Sequence, residues 1–166
     1  LLPHATEPSG KFLQLRQPDF GTVSDHVLCT PFPYTSPGVR SMGDIDCPFC
    51  NPPDEEVVLA NDLCYARYDK YPVSPGHLLL IPFRHIPALF DATDAEQIAL
   101  LALVREAKTP LDNQFHPDGY NIGVNVGPAA GQTVMHLHVH LIPRYAGDVE
   151  DPRGGVRGAV PEKRVY

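Results

Sequence analysis

The chain has 166 residues, of which 43% are hydrophobic, and its formal net charge is −7. This length and composition are typical of one globular domain with a real core, and they exclude a collagen-like or wholly disordered chain. The acidic balance and the lack of a basic run exclude a broad nucleic-acid or anionic-membrane surface, although a pocket for a single nucleotide needs only a few local donors.

The first 45 residues differ from the rest of the chain. They carry six prolines without a clear period, so residues 1–45 are expected to form an irregular N-terminal arm with one candidate strand at 12–16. No secretory signal and no apolar run near ~20 residues are recognisable. We therefore expect a cytoplasmic protein with reduced cysteines. Residues 46–150 are expected to form the main folded domain and 151–166 a surface tail.

The pattern becomes regular after Cys47. Residues 56–60 and 63–68 predict two strands joined by a turn at Asn61-Asp62. Residues 77–81 predict a short buried strand that ends at Pro82. Later in the chain, residues 120–126 and 134–143 predict two further strands that pair across a wide loop.

One helix is clear between these strands. Thr93-Asp94-Ala95-Glu96 fits a capping box, in which the threonine hydroxyl and the glutamate carboxylate satisfy backbone N–H groups. From Ala99 to Val104 the helix is apolar nearly all round, so we expect it to be largely buried, and Pro110 to end it. One face of this helix is expected to carry Ile98, Leu101, Ala102 and Arg105. The predicted fold class is α+β, with a mostly antiparallel sheet of about five strands and one main helix.

Three histidines alternate with apolar residues in His136-Leu137-His138-Val139-His140. In a strand they would share one face, roughly 6.5–7 Å apart, and the residues between them would point into the core. Packing explains a single histidine, but three in register each need a polar partner. Either a reactive site or a metal site made of all three histidines accounts for the pattern.

A glycine-containing loop, residues 125–133, lies just upstream of the histidines. Its glycines allow the backbone to approach a ligand closely. Asn125, Gln132 and Thr133 can donate hydrogen bonds to phosphate oxygens. A loop of this composition is usually only a turn, but beside three aligned histidines we interpret it as a phosphate cradle.

Cys47-Pro48-Phe49-Cys50 has the spacing of a zinc knuckle. A redox dithiol has the same spacing but favours the start of a helix, which the following Asn51-Pro52-Pro53 blocks. We favour zinc, with His85 and one of the three alternating histidines as the other ligands. Cys64 is expected to pack as a small hydrophobic residue.

Together these motifs resemble the histidine triad family. Residues 136–142 match its His-φ-His-φ-His-φ-φ signature, and residues 72–77 resemble the turn and strand upstream of it. The run from Gly127 to Arg144, with Gly147-Asp148, resembles the fragile-histidine-triad branch, which contains dinucleoside polyphosphate hydrolases. The cysteine pair is instead similar to many bacterial members and to galactose-1-phosphate uridylyltransferases. The resemblance covers about residues 45–150.

The resemblance implies a nucleotide hydrolase that cleaves dinucleoside polyphosphates or nucleoside phosphoramidates at the α-phosphorus through a nucleotidyl-histidine. His138 would be the nucleophile, His140 would hydrogen-bond a phosphate oxygen, and His77 would complete the histidine set. A neutral imidazole suits this role, because its pKa of ~6.5 leaves it largely uncharged near neutral pH. A neighbouring backbone carbonyl is expected to hold the proton on one nitrogen of His138, so that the other nitrogen faces phosphorus.

The resemblance also implies the binding residues. Asp69 would bind the ribose hydroxyls and Asn125 the phosphate region, and Gln132 and Thr133 would contact phosphate or the leaving group. A structural zinc would be held by Cys47, Cys50, His85 and His136, and the chain would form a homodimer. Two alternatives remain: a nucleotidyltransferase or phosphorylase that uses the same intermediate, and a non-catalytic nucleotide- and zinc-binding module.

Overall fold

A computed structural model of the chain describes residues 47–165. Five antiparallel strands form one sheet in the order β1-β2-β3-β5-β4, and a single long helix packs on it. The elements are β1 (Leu59–Ala60), β2 (Cys64–Tyr68), β3 (Leu78–Pro82), α1 (Asp94–Phe115), β4 (Gly119–Gly123) and β5 (Val139–Arg144). The predicted α+β class is confirmed. The N-terminal arm and its candidate strand lie outside the described residues.

The two faces of the sheet have different environments. On one face, alternate residues of the central strands pack with α1 in the main core, as Leu80 of β3 and Leu141 of β5 do with Leu103. On the other face, a smaller apolar cluster contains Phe49, Tyr65, Leu79 and Ile81. Because strand side chains alternate, His140 of β5 lies on the face away from the helix. The site described below therefore occupies the face that α1 does not cover.

Helix α1 begins as predicted but ends later. The backbone N–H of Glu96 is donated to the Thr93 hydroxyl, and the Thr93 N–H is donated to the Glu96 carboxylate, so the capping box is confirmed. The prediction that Pro110 ends the helix is wrong, because α1 continues to Phe115. Proline removes one backbone hydrogen bond, whereas the next residue, Leu111, is completely buried in the core. The helix ends at His116, whose φ of 50° is left-handed.

The prediction that α1 is largely buried is also wrong. Ile98 and Leu101 are 67% and 69% exposed. The apolar residues that α1 buries follow a helical spacing and are Leu100, Leu103, Ala107 and Leu111. A segment that is apolar nearly all round does not reveal which stripe faces the sheet, so the packing decides it. None of the helices in the described part of the chain is long and apolar enough to cross a membrane.

Two strands, β1 and β4, are shorter than predicted. Residues 54–56 form a 3-10 turn, so β1 contains only Leu59–Ala60 rather than residues 56–60. The turn before β2 is confirmed, because the Asn61 side chain accepts the backbone N–H groups of Leu63 and Cys64. Strand β4 covers Gly119–Gly123 rather than residues 120–126.

We expect Glu96→Gln to lower the free energy of unfolding at neutral pH by about 1–2 kcal/mol. Glu96 is 5% exposed and accepts hydrogen bonds from the Arg84 guanidinium at 2.8 and 2.7 Å. These bonds, with those from Thr93, lower the pKa of Glu96 to about 2. The contribution is therefore present above the unfolded-state pKa of ~4.3 and is lost as the pH falls towards the folded value.

Urea unfolding at neutral pH and at about pH 3 measures this effect. The difference between wild type and Glu96→Gln should shrink at the lower pH, because the Glu96 carboxylate of the unfolded wild-type chain is protonated there, whereas that of the folded protein is still mostly ionised. Glu55→Gln, which changes an exposed carboxylate in a 3-10 turn, is the control. A difference of the same size at both pH values would contradict the role assigned to the Arg84–Glu96 pair.

Candidate active site and metal centre

The three alternating histidines lie at the start of β5 rather than along it. Only His140 belongs to the strand, where it pairs with Leu79 of β3 and Gly123 of β4. Residues 134–136 form a bend, and the N–H of Leu137 is donated to the carbonyl of Ile86 at 2.6 Å. The strand predicted over residues 134–143 is therefore wrong for its first five residues. The side chains between the histidines point into the core as predicted: Leu137, Val139 and Leu141.

This bend gives the three histidines different surroundings. The rings of His138 and His140 lie 5.1 Å apart, centroid to centroid. His136 instead lies among the cysteines, with its ring 4.9 Å from that of His85. The expectation of one evenly spaced row of three histidines is wrong, because a regular strand would have been needed to produce it. One histidine joins a cluster with cysteines, and two remain for other chemistry.

The tautomer of His138 is set by the backbone. Its Nδ1 atom lies 2.7 Å from the carbonyl oxygen of His136. A carbonyl only accepts hydrogen bonds, so Nδ1 carries the proton and Nε2 keeps its lone pair. The side chain is 7% exposed, and the Phe49 ring packs against it at a centroid distance of 5.2 Å. The predicted backbone carbonyl is present, and the fixed imidazole with a bare Nε2 is the form that a nucleophile requires.

His140 is the first of three polar side chains in a row, followed by His77 and Asp69. The Nε2 of His77 is 3.0 Å from the Nδ1 of His140, and the Nδ1 of His77 is 3.4 Å from the Asp69 carboxylate. Burial lowers the pKa of His77 to about 4, although Asp69 acts in the opposite direction. Burial, followed by the neighbouring His138, also lowers the pKa of His140. Both imidazoles are therefore neutral near pH 7.

Four side chains converge below this site as a candidate metal centre. They are Cys47, Cys50, His85 and His136, and their ligand atoms all lie within 4.8 Å of one another. The Cys50 Sγ is 3.1 Å from the His85 Nδ1, and the Cys47 Sγ is 3.4 Å from the His136 Nδ1. Tetrahedral zinc bonds of ~2.3 Å to sulfur and ~2.0 Å to nitrogen would separate ligand atoms by about 3.3–3.8 Å. The donor set and spacing fit a zinc ion.

The surroundings of this cluster favour a metal over a redox pair. The Nε2–H group of His136 donates a hydrogen bond to the Pro82 carbonyl at 2.9 Å, which leaves Nδ1 as the candidate ligand atom. Residues 48–50 form a turn and no α-helix follows, so the thiols lack the helix N-terminus that activates redox dithiols. Cys64 is completely buried in the main core, where burial raises the pKa of its thiol to about 12, and its predicted packing role is confirmed.

The glycine-containing loop is held closed by Gln132. Gly127 and Gly131, with φ of 81° and 85°, flank a 3-10 turn at Pro128–Ala130. The Gln132 side chain is buried; it accepts the Gly127 N–H and donates both amide hydrogens to the carbonyls of Pro87 and Val134. In this conformation both of its donors are used by backbone carbonyls outside the loop rather than offered to a ligand. Its predicted contact with phosphate stays a prediction.

The other two predicted ligands of phosphate belong to the same loop. Thr133 is exposed at its end. Asn125 is half-buried, and its Nδ2 atom lies 3.9 Å from where a side chain at Gly131 would begin. Both residues are thus in the loop that precedes the reactive histidines, and their contacts with a nucleotide stay predictions.

Sequence reasoning missed two residues of this face. The ring of Phe49 contacts both His136 and His138, and so joins the metal cluster to the candidate nucleophile. Arg67 is 4% exposed and pairs with Glu56 at 2.5 Å. It shares the face of His140, because both residues pair with Leu79 of β3. A charged residue in the otherwise apolar β2 was the available signal.

Comparison with known proteins agrees with these features. Residues 52–147, more than half of the chain, match the family model of the HIT domain. The chain is 43% identical over 98 residues to an "AP-4-A phosphorylase" of Mycobacterium tuberculosis, covering 57% of this chain and 50% of that protein. It is 38% identical over 100 residues to the "Bis(5'-nucleosyl)-tetraphosphatase [asymmetrical]" of Schizosaccharomyces pombe, covering 60% and 55%. The chain spans about half the length of these curated relatives.

Solved structures show the same fold. A Zn-bound histidine triad family protein from Mycobacterium smegmatis superposes with a TM-score of 0.58 at 30% identity, covering 64% of this chain and 81% of that one. A HIT family protein from Bacillus anthracis gives a TM-score of 0.58 at 33% identity, covering 63% and 77%. With its family model matched over residues 52–147 and its histidines arranged around β5, the chain belongs to the histidine triad (HIT) family.

Proposed function

We propose that this chain hydrolyses dinucleoside polyphosphates or nucleoside phosphoramidates at the α-phosphorus, with His138 as the nucleophile. The observation that carries the proposal is the hydrogen bond from the His138 Nδ1 to the His136 carbonyl, which leaves Nε2 bare beside His140. The relatives named for diadenosine tetraphosphate and for bis(5'-nucleosyl)-tetraphosphate chemistry support the substrate class.

The reaction proceeds in two displacements. In the first, the Nε2 lone pair of His138 attacks the α-phosphorus, and the leaving phosphate or amine departs with the electrons of the broken bond; the amine takes up a proton as it leaves. In the second, water attacks the same phosphorus and gives up a proton, the P–N bond breaks, and its electrons return to Nε2 as the nucleoside monophosphate leaves. Covalent catalysis replaces one difficult step with two easier ones. His140 and the N–H groups of the glycine-containing loop stabilise charge on the phosphate oxygens.

The nucleotide contacts complete the proposal. Asp69 binds the ribose hydroxyls, whereas Asn125, Gln132 and Thr133 contact the phosphates or the leaving group. Gln132 has to release at least one of its carbonyl partners to donate to phosphate. Formation of a homodimer and a cytoplasmic location stay predictions.

We further propose that the metal is a structural zinc held by Cys47, Cys50, His85 and His136. The convergence of their ligand atoms and the Zn-bound family structure support this assignment. Four protein ligands fill a tetrahedral zinc and leave no position for a reacting water. The ion would therefore cross-link the Cys47 loop to the segment that precedes β5, and the histidines would carry out the chemistry without it.

A phosphorylase is the second candidate, because a relative with 43% identity bears that name. In that case inorganic phosphate replaces water in the second displacement. Diadenosine tetraphosphate separates the two: hydrolysis releases AMP and ATP, whereas phosphorolysis releases ADP and ATP.

We expect chromatography to show AMP from the wild-type protein both with and without added phosphate. Diadenosine triphosphate and adenosine phosphoramidate complete the substrate panel. ADP formed only when phosphate is added would replace the hydrolase with a phosphorylase. Tight nucleotide binding without any product would reject both reactions in favour of a non-catalytic binding module.

A further inference from the structure

We propose that Asp69 is a positioning residue that acts through His77 on His140, in addition to any contact with ribose. The catalytic consequence of this inference rests on the proposed function, whereas the arrangement it requires belongs to the ligand-free protein. The side chains come from three places on adjacent strands. Asp69 follows β2, His77 precedes β3, and His140 lies within β5.

The backbone holds Asp69 opposite His77. The N–H of Asp69 is donated to the carbonyl of His77 at 3.0 Å, which continues the pairing of β2 with β3. The Oδ1 of Asp69 accepts the N–H of Tyr71 at 2.9 Å. This bond fixes the rotation of the carboxylate and directs Oδ2 towards the Nδ1 of His77, 3.4 Å away.

The Nδ1 of His77 has two competing neighbours. The backbone N–H of Val73 is donated towards it at 3.4 Å, which requires Nδ1 to be bare. Then Nε2 of His77 carries the proton and donates it to His140, whose Nδ1 is 3.0 Å away. In this arrangement, named here the donor state, His140 keeps its proton on Nε2 and donates it to a phosphate oxygen.

The Asp69 carboxylate favours the opposite arrangement. When Nδ1 of His77 carries the proton and donates it to Oδ2, the bare Nε2 of His77 accepts the Nδ1 proton of His140. In this acceptor state the Nε2 of His140 has a free lone pair. It can take a proton from the water that attacks phosphorus, as the O–P bond forms and the P–N bond to His138 breaks. The carboxylate then stabilises the charged His140, and the proton later leaves to solvent.

The charged groups around His77 and His140 make Asp69 the residue that selects between the two states. The titratable groups that act on His77 are Asp69 and His140, and those that act on His140 are His138 and Asp69. Asp69 is the one acidic group among these described neighbours. His77 is 2% exposed, so water screens the carboxylate weakly. Without Asp69, the N–H of Val73 would hold His77 and His140 in the donor state.

Asp69→Asn tests the proposal, because the amide keeps an oxygen for the Tyr71 N–H but removes the charge. We expect kcat to fall about 10- to 100-fold, since general-base assistance contributes on this scale, whereas the lost ribose contact should raise KM for ribose substrates only. The nucleotidyl-enzyme should accumulate, because its hydrolysis is the impaired step. The loss of kcat should be equal for ribose and 2'-deoxy substrates. The acidic limb of the pH–kcat profile should move to lower pH.

Nitrogen-15 NMR of the imidazoles in ligand-free protein gives a readout that does not depend on turnover. The Nδ1 signal of His77 should move from protonated towards unprotonated in Asp69→Asn. Asp62→Asn, which removes a carboxylate from the exposed turn before β2, should leave it unchanged. Asp69→Ser, whose hydroxyl can still accept the Tyr71 N–H, should reproduce the shift, and thermal melting checks that each variant folds.

An unchanged His77 signal in Asp69→Asn would overturn the proposal. So would a loss confined to KM that disappears with 2'-deoxy substrate, because Asp69 would then be only a ribose ligand. Wild-type protein that turns over no substrate would overturn the proposed function instead. The NMR comparison would still decide whether Asp69 controls the tautomer of His77.

Discussion

His138→Asn will reduce kcat/KM by about three orders of magnitude or more, because the variant has no nucleophile to form the P–N bond. The asparagine amide is polar and similar in reach to the imidazole, so it can still donate to the His136 carbonyl that His138 Nδ1 binds at 2.7 Å. The buried site should therefore keep its shape. Turnover of diadenosine tetraphosphate, circular dichroism and bound metal are measured together.

His116→Asn is the matched control for this substitution. His116 ends α1 with a left-handed φ of 50°, a conformation that asparagine tolerates well. The same chemical change outside the site should leave turnover unaltered. Activity of His138→Asn within about 10-fold of wild type would contradict the role of His138 as nucleophile.

The Cys47→Ser Cys50→Ser variant should lose its metal and melt at least about 10 °C below wild type, because structural zinc contributes directly to folding stability. We expect about one zinc per wild-type chain. Turnover should fall as well, since His136 is both a proposed metal ligand and the residue whose carbonyl holds the proton of His138. Elemental analysis and thermal melting check these outcomes.

Cys64→Ala is the control for loss of a cysteine. The thiol of Cys64 is buried in the main core and is not among the four clustered side chains. The variant should therefore keep its zinc while losing a small amount of stability. A wild-type protein that folds fully after its metal has been removed would reject the structural role of the ion.

The features that the sequence predicted correctly depend on short-range patterns. The capping box needs only Thr93 and Glu96, three residues apart, and it forms as expected. The alternation of Leu137, Val139 and Leu141 likewise placed these residues in the core. The cysteine pair predicted a cluster with two histidines, and Cys47 and Cys50 do converge with His85 and His136, whereas the bound zinc stays a prediction.

The features that it missed depend on contacts between distant segments. The bend before β5 exists because Leu137 bonds to Ile86 instead of a neighbouring strand. The orientation of α1 is decided by the sheet, since the stretch from Ala99 to Val104 is apolar nearly all round. Pro110 was expected to end the helix because proline disrupts helical hydrogen bonding, but the burial of Leu111 in the core keeps the helix continuous.

The same distinction applies to the candidate site. Residue types suggested Gln132 as a phosphate donor, but three partners within and beside the loop use its side chain. Asp69 was assigned to ribose, and its approach to His77 was not visible in the sequence because it depends on the pairing of β2 with β3. Motifs thus predicted which residues meet, whereas the hydrogen-bond partners of each residue required the structure.

The stereochemical course of hydrolysis tests the covalent mechanism most directly. A dinucleoside polyphosphate with sulfur at the α-phosphorus in one configuration is hydrolysed in oxygen-18 water, and the configuration of the thiophosphate product is determined. Two successive in-line displacements through His138 predict retention of configuration at phosphorus. Inversion would mean that water attacks the substrate directly, and it would contradict the nucleotidyl-histidine intermediate.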